Sequence, residues 1–108
     1  MPIKTIQKLN DTFRQTGQGG KIVLTCGVDE LPVEDKEEIL GLVKSFSAFN
    51  NSNDLYGEHD FGLVEQKTNC IFWKIDYYSD ESLESKSEDA SDPGQTFRLL
   101  TIMMHDEY

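Results

Sequence analysis

The segment Gly57-Glu58-His59-Asp60-Phe61-Gly62 sets one imidazole between two carboxylates, and Asp76 and His105-Asp106-Glu107 add further groups of the same kind. Histidine with carboxylates is the material of a metal site and also of a general acid–base pair. On that reading His59, Asp60, Asp76 and His105 would serve a small metal-dependent hydrolase or nuclease, the alternative reading of this chain. The spacing does not select it, because no His-Glu-x-x-His or His-x-His pattern holds two ligands on one element. The same residues have a plainer use, in which His59 and Asp60 hydrogen-bond a loop and cap a strand end. Other signatures are absent: there is no Gly-x-Ser-x-Gly elbow, no phosphate loop, and no EF-hand progression between Asp80 and Asp92. No catalytic residue and no cofactor emerges, and a non-enzymatic protein is expected.

The acids carry a stronger pattern. Twenty Asp and Glu against ten Lys and Arg leave a formal charge of −10 on 108 residues. That balance argues against direct binding to nucleic acid, which needs cations to displace counterions from phosphates, and against docking on anionic membranes. The excess is uneven. Lys4, Lys8, Arg14 and Lys21 make the first segment locally basic, whereas Asp29 to Asp60 holds Asp29, Glu30, Glu34, Asp35, Glu37, Glu38, Asp54, Glu58 and Asp60 against Lys36 and Lys44. Asp80, Glu81, Glu84, Glu88, Asp89 and Asp92 then face Lys86 alone. One reading is a surface that imitates DNA and fills the basic nucleic-acid-binding groove of another protein. Its partner-binding residues would be Asp29, Glu30, Glu34, Glu37, Glu38, Glu84, Glu88 and Asp89, pairing with arginine and lysine. The plainer reading is a solvated face that only keeps a structural or oligomeric module soluble.

These groups must be positioned by a fold. Ile3, Ile6, Leu9 or Asn10, and Phe13 recur at helical steps with Lys4, Lys8, Asp11 and Arg14 between them, and the glycines at 17, 19 and 20 stop that helix. Lys21 to Val28 reads as a strand covered on both faces. A second helix follows Pro32, with Asp35 and Glu38 as its capping pair, an apolar stripe of Ile39, Leu42, Val43, Phe46 and Phe49, and Asn50-Asn51 as its stop. Phe61 to Glu65 and Cys70 to Tyr78 form a hairpin across Gln66–Asn69. Within it Ile71, Trp73, Ile75 and Tyr77 share one face, and Phe72, Lys74, Asp76 and Tyr78 share a more amphipathic one, partly open to water. The near-continuous apolar run Phe97 to Met104 predicts a central strand. Cys26 and Cys70 sit in apolar runs and read as buried free thiols.

The expected fold class is therefore α+β: two helices packed on one face of a mainly antiparallel sheet of about four strands. Residues 1–108 read as a single domain with a mobile acidic, serine-rich loop at about 79–95. No apolar run approaches the roughly 20 residues of a spanning helix, and Met1-Pro2-Ile3-Lys4 does not open a signal peptide, so a cytoplasmic location is expected.

Three segments taken together resemble a known family: Ile6-x-x-Leu9-Asn10-Asp11-x-Phe13-Arg14, Gly57-Glu58-His59-Asp60-Phe61-Gly62, and Phe72-Trp73-Lys74-Ile75-Asp76-Tyr77-Tyr78. Leu100-Thr101-Ile102-Met103, then Glu107-Tyr108, complete the pattern, and Glu88-Asp89-x-x-Asp92-Pro93 is similar to the family's acidic loop, with extra serine and acid just before it. The family is one of small bacterial proteins of unknown function, frequent on plasmids and other mobile elements. The resemblance covers nearly the whole chain and implies no activity. It implies a genetic setting in which small acidic proteins often inhibit host defence, as antirestriction or anti-CRISPR proteins do, and by that analogy it favours the acidic decoy.

Overall fold

The apolar run at the end of the chain occupies the interior of the sheet, as its composition predicts. In the computed structural model, which describes residues 2–50, 54 and 56–108, the elements run α1 (Pro2–Thr16), β1 (Gly20–Leu24), α2 (Cys26–Asp29), α3 (Val33–Lys44), β2 (Phe61–Gln66), β3 (Asn69–Tyr78), β4 (Phe97–Met104) and a closing 3₁₀ turn (His105–Glu107). The four strands lie in the order β1-β4-β3-β2. β4 pairs antiparallel with β3 and parallel with β1, and β2 and β3 form a hairpin whose connection is two residues, Lys67-Thr68, rather than the expected four, because Gln66 pairs with Asn69 and Lys67 takes a left-handed φ of 54°. The fold is α+β, with a mostly antiparallel but mixed sheet.

Strand alternation sorts the faces. Ile71, Trp73 and Ile75 of β3, with Leu100 and Ile102 of β4, point to the inner face and are 3% exposed or less. Phe13 of α1, Val28 of α2, and Ile39 and Val43 of α3 close over them in one apolar cluster. Gly62 lets β2 pass the Trp73 indole, since a Cβ there would lie 2.5 Å from Nε1. Phe72, Lys74, Asp76 and Tyr78 face the other side and are partly exposed.

Several local expectations are corrected. The strand predicted over Lys21–Val28 stops at Leu24, and residues 26–29 form a third, short helix. The Glu107 carboxylate braces this turn by accepting from the Thr25 hydroxyl and from the Gly27 N–H at 2.9 Å. Cys26 is consequently exposed rather than buried, and Cys70, on the outer face of β3, is half-buried; both are free thiols. The helix predicted to reach Asn50 ends at Lys44, so Phe46 and Phe49 pack from the chain beyond it. Its first turn is entered through Pro32 with no side-chain cap. Asp35 is instead nearly buried and bonded to Gln66 and Lys67. Asn51 lies outside the described residues. No helix among the described residues is long and apolar enough to cross a membrane.

Candidate functional site

Two of the segments singled out in the sequence meet in space. On α1, Gln7, Asn10, Asp11 and Arg14 occupy positions i, i+3, i+4 and i+7, so they share a helical face. That face receives the chain at Gly57–Asp60, just before β2. Asp11 accepts from His59 Nδ1, with its two oxygens at 3.0 and 3.1 Å. Gln7 Nε2 donates to the Gly57 carbonyl at 3.1 Å and contacts His59 Nε2 at 3.0 Å. Asp54 Oδ2 lies 3.5 Å from the same ring nitrogen. Phe49 stacks on the ring, with centroids 3.8 Å apart and planes 3° from parallel. His59 itself sits at φ 57°, a left-handed conformation that costs a non-glycine residue about 1 kcal/mol or more. Its N–H is held there by Asp54 Oδ1 at 2.9 Å.

Arg14 extends the network inward. It is 1% exposed, and its guanidinium donates to Asp11 and to the carbonyls of Val43 (2.7 Å) and Lys44 (3.0 Å). Those carbonyls end α3 and lack partners within the helix, so Arg14 acts as a C-terminal cap supplied by a different helix. Val43 O also accepts the Phe46 N–H at 3.3 Å, so Arg14 braces a turn that the local backbone already closes. The same guanidinium lies 5.1 Å over Trp73 and 5.5 Å over Phe49, a cation–π arrangement that offsets part of its desolvation.

A second branch joins α1 to the sheet. Asn10, fully buried, donates to the Glu58 carbonyl (2.9 Å) and the Tyr77 hydroxyl (2.8 Å) and accepts from Arg98 Nε (2.6 Å). Tyr77 donates to Glu58 Oε1 at 2.7 Å. Burial, then the Glu58 carboxylate, pushes the Tyr77 phenol far above its ordinary range. Burial draws Arg98 down. Arg98 also donates to the Ala90 carbonyl at 2.6 Å, which ties the acidic segment 79–96 to the core. Burial raises the Asp60 carboxyl, and the Glu58 charge adds to that.

The four residues of the metal hypothesis are not brought together. His59 faces the helices with both ring nitrogens engaged, Asp76 lies on the outer face paired with Lys74 at 3.2 Å, and His105 is exposed in the 3₁₀ turn beyond β4. Asp60 and Asp76 border one shallow depression with Lys74. Among the described residues no group of three or more His, Cys, Asp or Glu is placed to hold a metal ion.

All eight residues of the acidic hypothesis are exposed, but they form two groups. Asp29, Glu30, Glu34, Glu37 and Glu38 lie on α2, α3 and the bend between them, beside the Met104 end of β4, because Glu107 holds Gly27 and Gln66 holds Asp35 and Glu38. Glu84, Glu88 and Asp89 belong to the segment that enters β4 at Phe97. Seven residues of strand, roughly 24 Å, separate those two ends of the sheet. The second segment is organised by short side-chain turns, Asp80 to Ser82, Asp89 to Ser91 and Asp92 to Gly94, and by one bridge, Tyr78 with Lys86.

Sequence reasoning did not place Asn10, Asp11, Arg14, Tyr77 or Arg98 in a site. A signal existed for two of them: Asn10 fell in the apolar register of α1, and Arg98 interrupts the apolar run of β4.

Residues 24–107 match the family described as Protein of unknown function (DUF3768). The chain belongs to that family. The matched span takes in β1's last residue, both acidic groups, the Gly57–Asp60 segment and Arg98, and begins after α1. No curated protein and no solved structure matches the chain.

Proposed function

We propose that this protein is a non-enzymatic acidic binding protein that occupies the basic nucleic-acid groove of another protein, through the α2–α3 carboxylates first. One observation carries the reading: Asp29, Glu30, Glu34, Glu37 and Glu38 are all exposed on a short, internally braced stretch of helix. Only Lys36 lies among them in sequence, 3.5 Å from Asp29, and Lys67 is taken up by Asp35. On α3 the acids at 34, 37 and 38 fall within about one turn, 5.4 Å of axis, a charge density of the order that a phosphate strand presents. Arginines of a DNA channel would engage them by charge-assisted, partly bidentate bonds.

The Glu84, Glu88 and Asp89 group is too far away to extend the same ridge and serves, on this proposal, as a second contact on a large partner. The setting on plasmids or mobile elements, and an inhibitory role against a host defence protein of the restriction or CRISPR kind, complete the proposal by analogy with other small acidic proteins. The test is a Glu30→Lys/Glu34→Lys/Glu37→Lys variant whose circular dichroism matches the parent. Loss of partner co-purification by that variant supports the proposal, and undiminished co-purification removes it.

A further inference from the structure

The inner face of the sheet is covered by helices, but the outer face is not. By alternation its apolar side chains are Leu63 of β2, Phe72 of β3, and Leu99 and Met103 of β4, of which Met103 lies at the bottom of the face, 3% exposed. The C-terminal turn reaches over one side of it, where the Tyr108 ring centroid lies 5.8 and 5.5 Å from those of Phe61 and Phe72, and Lys86 reaches its other end, over the Tyr78 ring at 4.3 Å. Tyr108 remains 73% exposed and Leu63 42% exposed. An open groove of about 470 Å³ runs between Leu99, Met103 and Tyr108.

The charge on this groove differs from that of the rest of the molecule. Lys74 and Lys86 approach Asp76 at 3.2 and 3.9 Å, and Glu107 at the margin is committed to Thr25 and Gly27. With Lys21 of β1 and Glu65 of β2, which alternation places on the same face, three ammonium groups balance three carboxylates here, on a chain whose net charge is −10. A basic partner gains nothing at such a patch, and an anionic bilayer finds no cationic excess. Two copies of this chain repel one another across most of their surface and can meet where the field is balanced.

We propose that the outer face of the sheet is a self-association surface that packs against the same face of a second copy. The arrangement is self-complementary in a specific way. Lys74 and Asp76 are neighbours on one face of β3, about 6.8 Å apart along the strand. A two-fold axis lying in the interface and crossing β3 near Ile75 sets Lys74 of each copy opposite Asp76 of the other, as a closed isologous contact requires. The planar area is on the order of 500 Å² per copy, from strand rise and spacing, which is the range of a reversible rather than a permanent dimer. This inference does not rest on the α2–α3 reading, which concerns a different surface.

Sedimentation velocity over a dilution series tests it. The wild-type chain is expected to pass from dimer to monomer on dilution. Lys74→Asp and Asp76→Lys, each with unchanged circular dichroism, are each expected to stay monomeric at concentrations where wild type is dimeric. The second result is diagnostic, because Asp76→Lys makes the chain less negative and would otherwise ease association. Mixed in equal amounts, the two variants are expected to form a heterodimer, since the two carboxylates of the first then face the two ammonium groups of the second. A wild type that is monomeric throughout, an Asp76→Lys chain that dimerises as wild type does, or a mixture that stays monomeric overturns the proposal.

Discussion

The Asp11 carboxylate accepts the His59 Nδ1 proton at 3.0 Å, joining the first helix to a residue 48 positions further along the chain. The same oxygen receives the Arg14 guanidinium at 3.1 Å, so one acid on the rim of the structure satisfies a stacked imidazole and a buried cation together. The two most distinctive sequence segments of this protein thus serve each other before they serve any ligand.

Replacing that acid should therefore cost more than a surface substitution. Asp11→Ala leaves Arg14 buried with carbonyl partners only and His59 Nδ1 without an acceptor. Asp11 is about a third exposed, so water recovers part of the loss, and a destabilisation of about 2 kcal/mol is expected rather than the roughly 3–5 of a fully buried pair. Urea unfolding measures it, and a loss within about 0.5 kcal/mol, the usual surface value, would show that the network is dispensable.

Gly62→Ala tests the packing beneath the site. The added Cβ would meet the Trp73 ring at 2.5–2.7 Å, and Trp73 is completely buried with no room to retreat. Overpacking of this kind costs about 1–3 kcal/mol, read as a lower thermal midpoint with unchanged far-UV dichroism. A neutral substitution would mean that β2 can slide outward.

Acid should weaken the bond between the 3₁₀ turn and α2. The Thr25 hydroxyl, then the Met104 and Gly27 N–H groups, hold the Glu107 carboxyl below its ordinary value of 4.5. A group lowered on folding contributes stability above its unfolded pKa and loses it as pH falls through the folded one. The Lys67 ammonium and Gln66 lower Asp35 in the same sense. In Glu107→Gln the decline of the thermal midpoint below about pH 4.5 is expected to be shallower than in the parent. Parallel acid limbs would contradict the assignment.

Asp60 carries the opposite sign. Burial, then the Glu58 charge, raises its carboxyl above the ordinary 3.8, so ionisation opposes folding and stability falls as pH climbs through that interval. Asp60→Asn is expected to raise the thermal midpoint at pH 7 and to lose that advantage near pH 3. A variant less stable than its parent at pH 7 would show that Asp60 is needed as a carboxylate.

Much of this architecture was legible in the residues. The central place of β4, the two faces of β3 and the pairing of β2 with β3 follow from period-two patterning, and the structure has each of them, with a tighter hairpin turn than expected. What was not legible shares one cause. Arg14 and Asp11 looked like solvent-facing helix residues, and the α3 stripe looked continuous to Phe49, because a cap supplied by a distant helix leaves no local trace. Asp35 likewise resembles a capping acid until Gln66 and Lys67 are brought against it. The eight acids were legible as exposed charge, whereas their division between two ends of the sheet depends on strand order, which composition does not encode.

The most direct test of the acidic-decoy account is competition. Tagged protein is immobilised and exposed to host lysate, and the retained proteins are challenged with duplex DNA at low salt and separately with rising salt. The account predicts retention of a nucleic-acid-binding protein that duplex DNA displaces, that salt releases steeply, and that the Glu30→Lys/Glu34→Lys/Glu37→Lys variant fails to hold. Retention indifferent to DNA, to salt and to the charge reversal, or no retained nucleic-acid-binding protein at all, would contradict it.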